Sequence, residues 1–399
     1  MSKLINVGWM FLMQILVYPI QLFIIPYLIN SLGIESYGNY VFSLAVIGII
    51  IPLIDFGTSI SLQVGFSVLD KKSKQKKISE LIGFKLIIAS TVTTLFFFLI
   101  LFFNLFSWNI FCLGGWVIYA IFSCDFYYLA ELKNKKLFIR QLIQKVVFFV
   151  FVFPFVFLFN SVETVFLCLS LSYIIVAYFT FNDLKKYGFH LYPIFSTKSI
   201  VKNFKINLLY FINNIATAGF ASINTYFIDY NLGSKAVGKF SVLESLNRAC
   251  LSLVSSLNSV LFPMLSKKMN KKYFIAGFTI LPIYIIISFI IYYNKKLIFQ
   301  FFKIDHFDDS TLIIMLTILS LDALSKFLGY NFLGSIGKGN IVNISNIIGL
   351  CSYLPVYFLL KHNILWESDF NLYAITYLTS LIIVMIIRLY FNILYLSKV

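Results

Sequence analysis

Leu32-Gly33-Ile34-Glu35-Ser36-Tyr37-Gly38-Asn39-Tyr40 joins two long apolar segments, and its skeleton returns 200 residues later as Leu232-Gly233-x4-Gly238-x-Phe240. Lys71-Lys72 returns as Lys271-Lys272 at the same offset. The chain therefore reads as two copies of one unit, each with a tight, glycine-pinned turn between apolar stretches. Repeats of this kind are a common way to build a transporter with its site at the seam.

The composition names the solvent. Hydrophobic residues make up 60% of the 399 and charged residues only 12%, with a mean hydropathy of +0.89, which is the balance of an integral membrane protein. Twelve apolar stretches are each long enough to cross a hydrocarbon layer of roughly 30 Å as a helix. They lie at 9–30, 40–63, 81–103, 107–130, 141–160, 164–182, 206–229, 239–262, 273–293, 311–330, 341–360 and 371–394. The expected fold class is all-α membrane, with twelve transmembrane helices in two six-helix lobes. The first stretch contains Pro19 and Pro26 with no small-residue cleavage site after it, and is read as a retained first helix.

A net charge of +16 could indicate a nucleic-acid partner, but the lysines gather in alternate loops between the spans. Their placement reports topology: the positive-inside rule puts most of them, and both termini, in the cytoplasm. An even number of spans per half makes the halves parallel repeats about an axis along the membrane normal. The expected divisions are an N-terminal lobe at 1–182, a basic cytoplasmic linker at 183–205 and a C-terminal lobe at 206–399. The linker carries Lys185, Lys186, Lys198, Lys202 and Lys205, fitting a leaflet-facing topogenic loop or an anionic-headgroup contact. Outward loops are short. The five cysteines are scattered without paired spacing, which indicates apolar filler and neither disulfides nor a metal site.

Ionisable residues deep in spans are the candidates for function, because burying them is costly unless they face a cavity or a partner. In the eighth span Glu244, Arg248, Ser252, Ser255 and Ser259 fall on one helical face, and Glu244 and Arg248, four apart, can pair there. The seventh span adds Asn207, Asn214 and Thr225, and its expected neighbour across the seam is the second span, with Asp55 and Ser59. The tenth carries Asp322 and Lys326, again four apart, near Ser325 and Gly329. Lys85 and Lys145 lie near enough to the cytoplasmic end to snorkel, and with Asp55 they favour a structural or interfacial role. The expected substrate-binding set is Arg248, Lys326, Glu244, Asp322, Asp55, Asn214, Ser252 and Ser255.

The first turn together with Asp55-Phe56-Gly57, the second turn from Asn231, and Phe262-Pro263-Met264-Leu265-Ser266 resemble the polysaccharide repeat-unit flippases, the O-antigen and teichoic-acid exporters. That resemblance implies the multidrug and toxin extrusion-like fold: two six-helix lobes around a central cavity that opens alternately to each face. It also implies export of an undecaprenyl-diphosphate-linked oligosaccharide across the bacterial plasma membrane for cell-surface polysaccharide synthesis. One departure is that Glu244 and Arg248 stand where the first half has Leu44 and Gly48.

A diphosphate needs cationic donors, and arginine can bind phosphate oxygens through two parallel N–H bonds; Arg248 and Lys326 fit that need. Gly337-Lys338 lacks the spacing of a phosphate-binding loop, so ATP hydrolysis is not expected. No cofactor is expected. A proton or sodium gradient coupled through Glu244, Asp322 or Asp55 is a further expectation, as are membrane lipids and other polysaccharide-assembly membrane proteins as partners. The alternatives are a drug/cation antiporter of the same fold, which would favour net acidic groups, and a membrane polysaccharide polymerase. An enzyme is disfavoured because His190, His306 and His362 lie far apart in loops.

Overall fold

The computed structural model describes residues 2–62, 66–102, 114–265, 277–304, 307–363 and 369–396, and the regular structure within them is helix. The helices are α1 (Ser2–Leu32), α2 (Ile34–Asp55), α3 (Thr58–Ser61), α4 (Lys71–Phe102), α5 (Gly114–Phe122), α6 (Asp125–Ala130), α7 (Asn134–Phe159), α8 (Val162–Lys186), α9 (Thr197–Leu232), α10 (Ser234–Leu265), α11 (Ile280–Tyr293), α12 (Lys295–Phe302), α13 (Asp309–Lys326), α14 (Gly339–Asn363) and α15 (Asp369–Leu396), with a π-helical segment, Phe327–Gly334, continuing α13. Each of the twelve expected spans overlaps helix. Among the described residues eight helices are long and apolar enough to cross a membrane, or nine when the bent pair α11 and α12 counts as one. Lys271-Lys272, Ser266, Asp305, His306 and Cys112 lie outside the described residues.

Local chemistry sets the helix ends. Gly33 and Gly233 both adopt left-handed backbone, with φ of 82° and 79°, a conformation only glycine reaches without strain. Each closes the preceding helix: Gly33 N–H donates to Ile29 O at 3.0 Å, and Gly233 N–H to Asp229 O at 2.9 Å. The next helix opens alike in both copies, Tyr37 N–H donating to Gly33 O and Val237 N–H to Gly233 O. The second glycine of each motif has another duty. A methyl on Gly38 would collide with the Ser234 carbonyl, and one on Gly238 with that of Ile34. Ile34 and Ser234 are themselves 200 apart, so the two copies cross reciprocally through their glycines.

The turn between α7 and α8 uses other residues. Asn160 takes the left-handed position at φ 43°, which asparagine tolerates, and the Ser161 hydroxyl accepts from Thr164 N–H to cap α8.

The chain packs as two compact units, each assembled from two stretches of sequence: residues 1–9 with 43–218, and 10–42 with 219–399. In the first, Val152 and Val156 of α7, Val165 and Phe166 of α8, and Phe126 of α6 have no exposed surface. In the second, Val254, Leu319, Ala323, Phe332 and Tyr353 are equally sealed and belong to one apolar cluster. The paired glycine turns lie in this second unit.

Candidate functional site

In the first unit the chain breaks in mid-span. Helix α2 contains Pro52 and stops at Asp55, because Phe56 and Gly57 take successive positive φ values of 48° and 71°. A methyl on Gly57 would strike the backbone and Cβ of Tyr210, and the Phe56 ring stacks on Phe211 at 4.1 Å between centroids. Ser61 Oγ donates to Asn207 Oδ1. The second and seventh spans are therefore neighbours at this level, but they meet within one compact unit where the sequence points to a contact across the seam between lobes.

Asp55 sits at the break and is heavily engaged. Its carboxylate accepts from Lys85 Nζ at 2.9 Å, from Ser59 Oγ at 2.6 Å and from Thr58 Oγ1 at 3.1 Å. Lys85 also donates to Ala120 O at 3.2 Å and is fully buried. Of the structural and interfacial readings of Lys85, the structural one holds and snorkelling does not: its ammonium ties α4 to the broken end of α2 and to α5. Lys145 is half-buried on α7.

The second unit holds all the other candidates but Asn214. On α10, Arg248 Nη2 stands 3.9 Å from Glu244 Oε2, and the two side chains are 57% and 15% exposed. Glu244 is anchored from a different helix, since Asn224 of α9 hydrogen-bonds it while the Asn224 amide oxygen accepts from Tyr353 of α14 at 2.6 Å. The acid is thus held by a buried relay, and the guanidinium is left mostly exposed with only loose contacts to Glu244 and, at 3.4 Å, to Ser245 Oγ. Ser252 is buried and donates to Ala249 O of its own helix at 2.7 Å. The Ser255 side chain lies outside the described residues. Asn214 is half-buried on α9 and falls in the first unit.

On α13 the second pair closes more tightly, with Lys326 Nζ 3.1 Å from Asp322 Oδ2 and Lys326 41% exposed. The Tyr377 hydroxyl of α15 lies within electrostatic reach of Asp322, Glu244 and Arg248, and its ring stacks on Phe220 of α9 at 4.8 Å. Glu244, Arg248 and Asp322 thus act electrostatically on one phenol, although the two acids are about eighty residues apart in sequence.

Arg388 has no part in the expected set and is the best-satisfied cation of this unit among the described residues. It is buried on α15. Its guanidinium donates to Ser325 O at 2.8 Å, Ser325 Oγ at 3.0 Å, Ser345 Oγ at 3.0 Å and Asn346 Oδ1 at 2.6 Å. Gly329, in the π-helical segment, lies directly beneath the guanidinium, so the arginine braces the point where α13 changes pitch. The signal in the sequence is a single arginine inside the last apolar span.

No group of three or more potential metal-ligating side chains occurs among the described residues. The arrangement offers partly exposed cations beside mostly covered carboxylates on a polar face of apolar helices. Such a face can hold an anion and can exchange ion-pair partners.

The helices are those of a multi-pass membrane protein, and solved structures of membrane transporters share the fold. A MATE transporter in complex with MaD3S aligns with a TM-score of 0.71 at 12% identity, covering 100% of this chain and 96% of its own. The inward-facing conformation of a multidrug resistance MATE family transporter of the MOP superfamily also gives 0.71, at 13% identity and covering 99% and 98%. A MOP superfamily transporter from Pyrococcus furiosus, described as having a binding pocket of reverse polarity, gives 0.66 at 14% identity over 98% and 95%. A search of curated proteins returned no significant match. The sequence profile of the polysaccharide biosynthesis protein family matches residues 4–269; the chain belongs to that family.

Proposed function

We propose that this transporter is a flippase that carries an undecaprenyl-diphosphate-linked oligosaccharide from the cytoplasmic to the outer leaflet of the bacterial plasma membrane by alternating access, both termini being cytoplasmic. The observation that carries this reading is Arg248: a guanidinium in mid-helix, 57% exposed, whose acid partner stands 3.9 Å away and is held from behind by Asn224. An arginine so placed can offer a two-pronged donor set to a diphosphate. Lys326 supplies a second cation, and the polar side chains of α9 and α10 supply hydrogen bonds for sugar hydroxyls. The polysaccharide family supports a glycan cargo.

The test is genetic and chemical. Arg248→Ala is expected to abolish surface glycan while leaving the protein in the membrane, with Arg248→Lys retaining part of the export; wild-type surface glycan in the alanine variant would overturn the assignment. The structural likeness to MATE transporters favours a second reading, drug/cation antiport. It predicts a changed drug sensitivity on deletion with no lipid-linked oligosaccharide accumulating inside the cell.

A further inference from the structure

The connection between α8 and α9 is docked. Gln75 near the start of α4 makes a reciprocal pair with the His190 backbone, Nε2 donating to His190 O at 2.6 Å and Oε1 accepting from His190 N–H at 2.8 Å. Ile194 N–H donates to Ser79 O at 3.0 Å, and the Ile194 carbonyl fills the space that a side chain on Gly83 would need. The segment is thereby fixed against α4. Even so, Tyr192 and Phe195 stay 49% and 62% exposed.

Helix α9 follows at once, and its polarity is inverted. Ser199, Asn203 and Asn207 are buried on one stripe at four-residue spacing, with Asn203 Nδ2 donating to Ser199 Oγ. The opposite stripe, within an arc of about 60° at 100° per residue, carries Lys198, Lys202 and Lys205, all exposed. Leu209 continues the same stripe and is 73% exposed. Lys77 of α4 lies within electrostatic reach of Lys202. Between Leu184 and Ile228 the sequence contains no aspartate or glutamate, so this row has no acid of its own segment to neutralise it.

Lysines that turn to leucine one helical turn later, beside outward aromatic rings, mark a membrane–water boundary. Like charges gathered there call for anionic headgroups. We propose that Tyr192, Phe195, Lys198, Lys202 and Lys205 form a binding surface for anionic phospholipid headgroups, which seats this face of the first unit on the leaflet beside it.

The proposal is tested with the full chain carrying Phe195→Trp in vesicles of phosphatidylcholine and phosphatidylglycerol, with bromine on the acyl chains of one lipid or the other, and the quenching of the parent chain subtracted. Brominated phosphatidylglycerol is expected to quench the introduced indole about twice as strongly as brominated phosphatidylcholine at equal mole fraction. That preference should vanish in K198Q/K202Q/K205Q and fade as salt is raised. Equal quenching by the two lipids, or a preference that survives the triple substitution, would overturn the proposal. Quenching by neither lipid would place the ring in water and overturn it too. Loss of the preference on adding inorganic pyrophosphate, at an ionic strength matched with sodium chloride, would assign the lysines to a soluble phosphate instead.

Discussion

At the scale of single residues, the decisive difference is between charges that are consumed and charges that are kept. Asp55 and Lys85 are consumed by one another in a nearly closed site, and removing one partner of such a pair leaves a buried, uncompensated charge. Lys85→Ala is therefore expected to cost about 3–5 kcal/mol, whereas Asp55→Leu with Lys85→Met together should cost far less; thermal melts of the purified protein distinguish the two, and equal losses would contradict the structural role. Asp70 has a simpler task. Its carboxylate caps α4 by accepting from Lys72 N–H at 3.2 Å and Ser73 N–H at 3.3 Å, and the Ser73 hydroxyl and amide hold its carboxyl below the ordinary value. A depressed carboxylate stabilises the fold above its unfolded-state pKa and loses that contribution as pH falls through the folded one. The difference in melting temperature between wild type and Asp70→Ala should accordingly shrink in acid.

At the scale of elements, the two glycines of each repeat separate cleanly. Gly33 has nothing near the position of a Cβ, so Gly33→Ala meets only the left-handed strain of about 1–2 kcal/mol. Gly38 and Gly238 face backbone carbonyls across the helix crossing, and alanine at either should force the two turns apart. Yields of folded protein and melting temperatures are expected to fall much further for Gly38→Ala and Gly238→Ala than for Gly33→Ala, and a reversed order would refute the crossing. The spacing of these glycines was plain in the sequence. Their mutual contact was not, because a helix crossing depends on which segments fold against each other and leaves no periodic trace along the chain. The same holds for Lys85: thirty residues from Asp55, on a different helix, it carries no local sign of its partner, and its position near a basic run misleads.

At the scale of the whole molecule, the proposed flippase activity makes a cytoplasmic-leaflet accumulation of a lipid-linked oligosaccharide the expected consequence of deleting the gene, measurable by lipid extraction and mass spectrometry. Restoration by the wild-type chain and by Asp322→Asn, but not by Arg248→Ala, would assign the anion to Arg248. If a proton or sodium gradient drives the movement, its dissipation should halt export in cells that still make the lipid-linked precursor. Unchanged export would remove Glu244, Asp322 and Asp55 as coupling groups.

Hydropathy, loop charge and the 200-residue repeat determine by themselves that this chain is a duplicated bundle of membrane helices, since burial in lipid requires long apolar helices and leaves a period that can be read residue by residue. The i, i+4 pairs Glu244 with Arg248 and Asp322 with Lys326 follow from helix pitch alone. Tertiary structure decided the rest: Asp55 spent on Lys85, Glu244 held by Asn224 and Tyr353, Arg388 clamped against the π-helical segment, and the basic connection docked on α4. Those outcomes depend on contacts between residues far apart in sequence, where the energy comes from desolvation and hydrogen bonding at a meeting point that no single segment encodes.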